Sequence, residues 1–288
     1  MTSTTLDLRY QKWLKQGRGT GVGKDYQPWL TVRDLPSDGR SHRIWGFQTQ
    51  RTHHLLSDLE LAAFLLFDWN PSVTDIREQY PLRLEDTREL AEQASIRHPE
   101  VSGQTKIMST DFLVDTNKPD LPRMAIQVKN SSDLSKPRTI EKLELERRYW
   151  AIKEIPWYLL TEKQIPKIVT KNIAWLYPAQ LILDGIEDTL NMSALYLNFF
   201  LKNPTLQISQ VAMTLDQAYS LVPGESLQKI RTLLALRVFL FDIRRPWSTL
   251  TVGELQTSSN IHSLRDSYAA NQLRCDVWRR SISHSRCL

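Results

Sequence analysis

Met108-Ser109-Thr110-Asp111-Phe112-Leu113-Val114-Asp115, a polar turn with Pro119 and Pro122, and then Met124-Ala125-Ile126-Gln127-Val128-Lys129 form the stretch that decides the fold of this chain. Both apolar pieces alternate with the period of two expected of half-buried strands. In the second, Met124, Ile126 and Val128 share one face, while Ala125, Gln127 and Lys129 share the other. Gln127 and Lys129 are then roughly 6.6 Å apart along the strand. In the first, Asp111 lies opposite the apolar face of Thr110, Phe112 and Val114. The prolines break the connection and favour an antiparallel, hairpin-like pair. Such pairing gathers a carboxylate, an amide and an ammonium, from Asp111, Gln127 and Lys129, on one solvated surface. An ordinary hairpin face carries the same residue types, so the flanking sequence has to decide between chemistry and solvation.

Upstream, Leu55 to Trp69 has helical periodicity, with Leu55, Leu59, Ala62, Ala63 and Leu66 on one face and Asn70-Pro71 as the stop. Ser57-Asp58-Leu59-Glu60 fits a capping box, which gives Glu60 a purely structural role worth about 1 kcal/mol. A carboxylate at a helix start can equally point into a site. His53 and His54 have no matching His/Cys pattern after them, so they are expected at an interface or on the backbone rather than on a metal. Val73 to Tyr80 is expected as a strand stopped by Pro81, and Leu84 to His98 as a charged surface helix or excursion. Thr139 to Lys153 is expected as a charged helix with Ile140, Leu143 and Trp150 inward, followed by a strand from Trp157 to Thr161. The order is helix, three strands, helix, strand.

Nearer the N-terminus, Leu6 to Lys15 is expected as a short amphipathic helix with Leu6, Tyr10, Trp13 and Leu14 on its stripe. Gly17-Arg18-Gly19-Thr20-Gly21-Val22-Gly23-Lys24-Asp25 lacks the Ser or Thr and the glycine spacing of a phosphate loop, and no strand precedes it. It is expected instead as a flexible basic segment along a nucleic-acid backbone, with Lys24 as a DNA contact. Leu30 to Gln50 mixes a turn at Pro36-Ser37-Asp38-Gly39 with short extended pieces around Arg43-Ile44-Trp45-Gly46-Phe47.

A second domain follows, expected over 169–288 after a first over 1–168. Ile186 to Leu201 is an apolar helix, Thr214 to Leu221 a short one and Glu225 to Leu236 a longer one. Arg237 to Ile243 and Leu250 to Val252 are two strands joined by Arg244-Arg245-Pro246-Trp247. Short helix, turn, longer helix and hairpin make a winged-helix order, in which Arg244 and Arg245 are available to DNA. A generic helical domain that packs on a partner has the same pattern. The last dozen residues are expected to fray.

Composition sets the outer bounds. The 288 residues are 41% hydrophobic and 24% charged, ordinary for a globular protein of one large or two medium domains. No apolar run approaches the length of a membrane span, and Met1-Thr2-Ser3-Thr4-Thr5 leads into charge rather than a signal-peptide core. A cytoplasmic location is expected. Cys275 and Cys287 form no metal or redox spacing. The net charge of +5 is compatible with a polyanionic partner.

A carboxylate on a helix, another on the second strand and a polar-x-Lys on the third resemble the restriction-endonuclease-like core, with the same α-β-β-β-α-β order. Phosphodiester hydrolysis asks for hard oxygen ligands that leave water positions open, and for a cation near the scissile phosphate. Oxygen ligands without His or Cys favour Mg²⁺ or Mn²⁺ over Zn²⁺. A closer resemblance runs through Gly23-Lys24-Asp25-Tyr26 to Pro28-Trp29-Leu30-Thr31-Val32, Gly39 to Ile44, His53 to Glu60 and Asp75-Ile76-Arg77-Glu78-Gln79. It continues through Met108 to Asp115, Ala125 to Lys129 and Glu141 to Trp150. These runs resemble the TnsA family, densely over roughly the first 180 residues and more loosely beyond.

That resemblance implies a catalytic set of Glu60, Asp111, Gln127 and Lys129, with Mg²⁺ (Mn²⁺ substituting) held by Glu60 and Asp111 and by the neutral Gln127 oxygen. Glu146 is a further candidate for a supporting role, against a surface ion pair with a neighbouring Arg or Lys. The implied activity is endonucleolytic cleavage at the 5′ ends of a transposon. A TnsB-like partner would cut and join the 3′ ends, a TnsC-like ATP-dependent regulator would engage the C-terminal domain, and the complex would associate with the nucleoid during transposition. A stand-alone restriction- or repair-type nuclease and a non-catalytic DNA-binding scaffold are the competing readings.

Overall fold

A four-stranded sheet carries the first half of the chain, its strands in the order Val73–Pro81, Ser109–Thr116, Arg123–Val128 and Trp157–Leu160. The computed structural model describes residues 8–34, 40–101, 103–181 and 186–258. The expectations for Leu6, the Pro36–Gly39 turn, both cysteines and the C-terminal tail lie outside them. The chain divides into two compact units, residues 1–165 and 166–288. Among the described residues no helix is long and apolar enough to cross a membrane.

In the first unit α1 (Leu8–Lys15) precedes the hairpin β1 (His42–Gly46) and β2 (Arg51–Leu55), then α2 (Asp58–Trp69) and β3 (Val73–Pro81). There follow α3 (Leu84–Gln93), the small hairpin β4 (Glu100–Val101) and β5 (Gln104–Thr105), and the central strands β6 (Ser109–Thr116) and β7 (Arg123–Val128). Helix α4 (Pro137–Ile152) and strand β8 (Trp157–Leu160) complete it. β3, β6 and β7 run antiparallel, and β8 joins parallel to β7 after the α4 crossover.

The pleat separates two packing faces. Phe112 and Ile126 pair across β6 and β7, and Phe112 meets Phe67 of α2 edge to face with ring centroids 5.6 Å apart. Their neighbours Leu113 and Ala125 pair on the opposite face and share a core with Leu90 and Ala91 of α3 and with Leu145, Tyr149 and Trp150 of α4. The sheet is therefore covered on both sides. The face expected to be solvated lies under α4, and Asp111 is only 7% exposed.

Local expectations shift in instructive ways. Leu55 closes β2 against His42 instead of opening α2, because the hairpin supplies its backbone partners. The buried residues of α2 are Glu60, Ala63, Phe64, Leu65 and Asp68, so its buried stripe keeps Ala63 but is rotated away from the expected Leu59, Ala62 and Leu66. In α4, Leu143 and Trp150 are buried as expected, while Ile140 stays 51% exposed. Leu14 of α1 is likewise exposed, whereas Tyr10, Trp13 and Trp29 form a buried aromatic group.

The glycine-rich segment is tied down by backbone hydrogen bonds. Gly19 N–H donates to Gln27 O and Gln27 N–H returns to Thr20 O. Gly19 and Gly21 have φ of +79° and +91°, and a Cβ on Gly19 would lie 2.2 Å from Pro81 Cγ. These glycines serve close approach rather than mobility. Arg18 is committed to Asp34 at 2.7 Å and lies over Trp13, while Lys24 remains exposed.

The second unit is helical: α5 (Lys167–Leu176), α6 (Ile186–Asn191), α7 (Ser193–Lys202), α8 (Ile208–Ala218) and α9 (Glu225–Ala235). The expected single helix from Ile186 to Leu201 is thus two. A short antiparallel pair follows, β9 (Phe239–Leu240) with β10 (Gln256–Thr257). The second arm lies beyond the expected Leu250–Val252, where Thr251 instead bridges to Gln207 and Val252 opens a 3₁₀ turn. Asn172 bonds Ile243 O, Arg245 O and Trp247 N–H, and Trp247 stacks on Trp175 at 3.8 Å. The basic turn is thereby fixed, with Arg245 paired to Glu254 and Arg244 exposed.

Candidate active site

The ladder between β6 and β7 stops at Phe112–Ile126, and beyond it the strands part. Side chains take the ladder's place. Asp111 N–H donates to Gln127 Oε1 at 3.1 Å, and Val128 N–H donates to Asp111 Oδ2 at 2.8 Å. Thr110 turns towards α4, where Trp150 Nε1–H donates to its hydroxyl and the hydroxyl donates to Glu146. Thr110 and Leu113 thus both reach the α4 side, so strict alternation fails at Asp111.

β3 also departs from regular geometry here. Gln79 has φ of +50°, the left-handed region in which a non-glycine residue is uncommon. Its Nε2 donates to Glu60 Oε2 at 3.4 Å and to Asp111 Oδ1 at 3.3 Å, while its Oε1 accepts from Ser109 Oγ at 3.2 Å. One amide therefore gathers the carboxylates of α2 and β6. Glu60 keeps its structural task as well: its backbone N–H donates to Ser57 Oγ, and its carboxylate accepts from Ser57 O–H and Leu56 N–H. The cap aims the carboxylate into the site, and the two roles coexist.

These groups line an open cavity of about 500 Å³. Glu60, Gln79, Asp111, Gln127 and Lys129 enter from the sheet side and α2. Thr139, Lys142, Leu143 and Glu146 enter from one face of α4 at i, i+3, i+4 and i+7. Lys129 Nζ stands 3.9 Å from Asp111 Oδ2. The four residues expected from sequence, Glu60, Asp111, Gln127 and Lys129, are brought together. Lys24 does not line this cavity, and Arg244 and Arg245 belong to the other unit.

The electrostatics are unbalanced. Burial, reinforced by the charge of Asp111, pushes the Glu60 carboxyl up to about 7. Glu146 is 3% exposed and makes no ion pair among the described residues. It accepts from Thr110 O–H and Trp157 Nε1–H, yet burial, with Asp111 adding to it, pushes its carboxyl up to about 8. The surface-pair role considered for Glu146 is therefore wrong, because α4 turns it inward. Asp111 is the main reason that Lys129 is raised above the ordinary ammonium range, against the opposing effect of burial. Lys129 remains a cation and stands nearest the carboxylates; with Lys106 and Lys142 farther along the wall, three ammonium groups share the cavity with Glu60, Asp111, Asp133 and Glu146.

The donor set fits a hard divalent cation. Glu60 and Asp111 converge on one amide, Gln127 Oε1 has a second lone pair, and Glu146 stands in the same cavity. Among the described residues no group of three or more His, Cys, Asp or Glu side chains is placed to hold a metal ion, so the convergent donors are the Glu60 and Asp111 carboxylates with the Gln127 amide. Two carboxylates and an amide leave the remaining positions around a divalent cation to water and substrate.

Gln79, Lys106 and Lys142 extend the site beyond the residues expected from sequence, and Glu146, expected as a candidate for a supporting role, lines the same cavity. Gln79 stood in a family-like run without a role, since nothing in a two-residue period marks a left-handed turn. Lys106 carried no local signal.

Two family models match the chain: "TnsA-like endonuclease N terminal" over residues 70–162 and "TnsA endonuclease C terminal" over residues 164–243. The chain is 43% identical over 269 residues to the transposon Tn7 transposition protein TnsA of Escherichia coli, covering 93% of this chain and 98% of that protein. With both models in sequence order and identity running nearly end to end, the chain belongs to the TnsA family of transposition endonucleases.

Proposed function

We propose that this protein is the Mg²⁺-dependent endonuclease subunit of a cut-and-paste transposase, hydrolysing phosphodiesters at the 5′ ends of the element. The observation that carries this reading is the convergence of Glu60 and Asp111 on a single amide beside Lys129, in one open cavity. The strand-and-helix order around it supports a restriction-endonuclease-like core, and the helical second unit with its small strand pair supports a winged-helix-like module.

Each residue has a task that follows from its surroundings. Glu60, Asp111 and Gln127 would hold the cation, which supplies Lewis acidity at the scissile phosphate. Asp111 is fixed by Val128 N–H, and Glu60 by the start of α2, so neither needs to reorganise. Lys129, held cationic, offsets charge that builds on the phosphate oxygens. Glu146 can accept a proton near neutral pH, because burial has brought it into that range.

A TnsB-like partner would cut and join the 3′ ends, and a TnsC-like regulator would bind the second unit. Basic contacts of this kind locate a phosphate backbone without reading sequence, so placement at a transposon end falls to the partner. Strand-resolved mapping of cuts on transposon-end DNA, with and without the partner transposase, tests this. Cleavage confined to the 5′ strand and dependent on the partner is expected. Efficient cutting of naked DNA by the isolated chain would instead indicate a stand-alone nuclease.

A further inference from the structure

Beyond the carboxylates the cavity does not close. It continues past Pro99, Lys106 and Lys142, which line both spaces, into an adjoining hollow of about 450 Å³. The walls of that hollow carry Arg97, Lys106, Arg138 and Lys142 against one carboxylate, Glu100. Asp133 stands in the inner part.

These cations are placed at a cost. Lys106 is half-buried where it leaves the β4–β5 hairpin. Burial lowers its ammonium first, and the charges that act on it, from Lys142, Lys129 and Arg9, are all positive. Lys142 is lowered by partial burial and then by Arg138 and Lys129. Arg138 and Lys142 stand at i and i+4 on α4, a spacing at which like charges repel. Arg138 reaches Glu141 at 2.6 Å, but neither lysine has a carboxylate partner among the described residues. A surface built only for solubility would intersperse the two signs. A row of same-sign charges along a groove is instead matched by an anion whose charges recur along a chain.

We infer that Lys106, Lys142, Arg138 and Arg97 form a track for successive phosphates of the DNA strand flanking the scissile bond, distinct from Lys129 at the scissile phosphate itself. This rests on the nuclease reading and adds where the substrate strand runs. The track starts at the carboxylates and leaves between the N-terminal half of α4 and the β4–β5 hairpin. It differs from the Lys24 and Arg244–Arg245 contacts expected from sequence.

The test measures binding of the full-length chain to a fluorescent DNA duplex by anisotropy across a salt series, in EDTA, for the unsubstituted protein and for Lys106→Gln, Lys142→Gln and the double variant. Each lost phosphate contact flattens the slope of log affinity against log salt by about 0.9, so the double variant loses about 1.8. Lys142→Arg retains the slope. Mn²⁺ binding without DNA is measured in parallel and is retained or tightened in the lysine variants, which remove positive charge from the cavity wall, so a flattened DNA slope does not come from a lost metal site. An unchanged slope in the double variant overturns the track, even where Asp111→Asn abolishes Mn²⁺ binding and cleavage. No binding by the unsubstituted chain at low salt overturns it as well. A flattened slope beside an Asp111→Asn protein that still binds Mn²⁺ and cuts DNA upholds the track and removes the metal-site reading.

Discussion

Adjacent residues of β3 belong to two buried charge clusters that have opposite character. Glu78, fully buried, accepts from Arg51 through both terminal nitrogens, from His53 Nδ1 at 2.8 Å and from His54 N–H at 3.1 Å. Burial alone would raise its carboxyl, but His53 and Arg51 hold it well below the usual carboxylate range. Gln79, the next residue, turns the other way to Glu60 and Asp111, where carboxyls are pushed up to about 7 for Glu60 and about 8 for Glu146. A balanced cluster is a structural clamp, here tying the β1–β2 hairpin to the sheet. Carboxyls raised by burial and by one another in an open cavity are what the proposed cation site calls for.

The largest effect that separates the two is on chemistry. Asp111→Asn keeps an acceptor for Val128 N–H and removes charge from beside Glu60, so the thermal midpoint should hold or rise. Cleavage should fall about 10⁴-fold, about 5.4 kcal/mol of transition-state stabilisation. In the assembled transposase the partner's strand transfer should persist, leaving the donor covalently joined to the target. Absence of any joined product despite normal assembly would assign this subunit to both strands.

Glu78→Ala should behave in the opposite way. It leaves Arg51 buried without its partner, which costs about 3–5 kcal/mol of stability. Urea unfolding of the variant reads this directly, and a change under about 1 kcal/mol would show that the clamp does not hold the hairpin.

Only part of this contrast was legible in the sequence. Asp111, Gln127 and Lys129 could be placed together because a period of two and a short connection fix register locally. Glu60 could be placed at the start of α2 because capping is also local, while its membership of the site was what the TnsA resemblance implied. The burial of Asp111 was not legible, since the helix that covers it, α4, begins about two dozen residues later and packs through Leu145 and Trp150. Gln79 escaped because its φ is imposed by tertiary contacts. Glu78 and its partner Arg51 are 27 residues apart, and neither shows a local pattern.

Opposite pH slopes follow. Glu60 and Glu146 bind protons in the folded protein up to about 7 and about 8, but in the unfolded chain only to the usual value near 4.5. The folded state thus binds more protons in this window, and in EDTA its stability falls as pH rises, by at most about 1.4 kcal/mol per pH unit per group. Glu78 acts in the other direction, losing its contribution as pH falls below the usual carboxylate range. Unfolding from pH 5 to 8.5 should show the first slope in the native chain and a shallower one in Glu146→Gln. Identical slopes in both proteins would exclude Glu146 as a source.

The smallest effect concerns Glu60→Gln, which keeps an acceptor for Leu56 N–H and loses the charge. Stability should change by less than about 1 kcal/mol while cleavage is lost. Stability and cleavage declining together would reduce Glu60 to a cap.

The most direct measurement is calorimetric titration of Mn²⁺ into the full-length chain at pH 7, in two buffers of different ionisation heat. If the cavity carboxylates are unbalanced because a cation belongs among them, binding should release protons from Glu60 and Glu146. Asp111→Asn should abolish both the binding and the release. Mn²⁺ bound equally well by Asp111→Asn, or bound without proton release, would contradict the account.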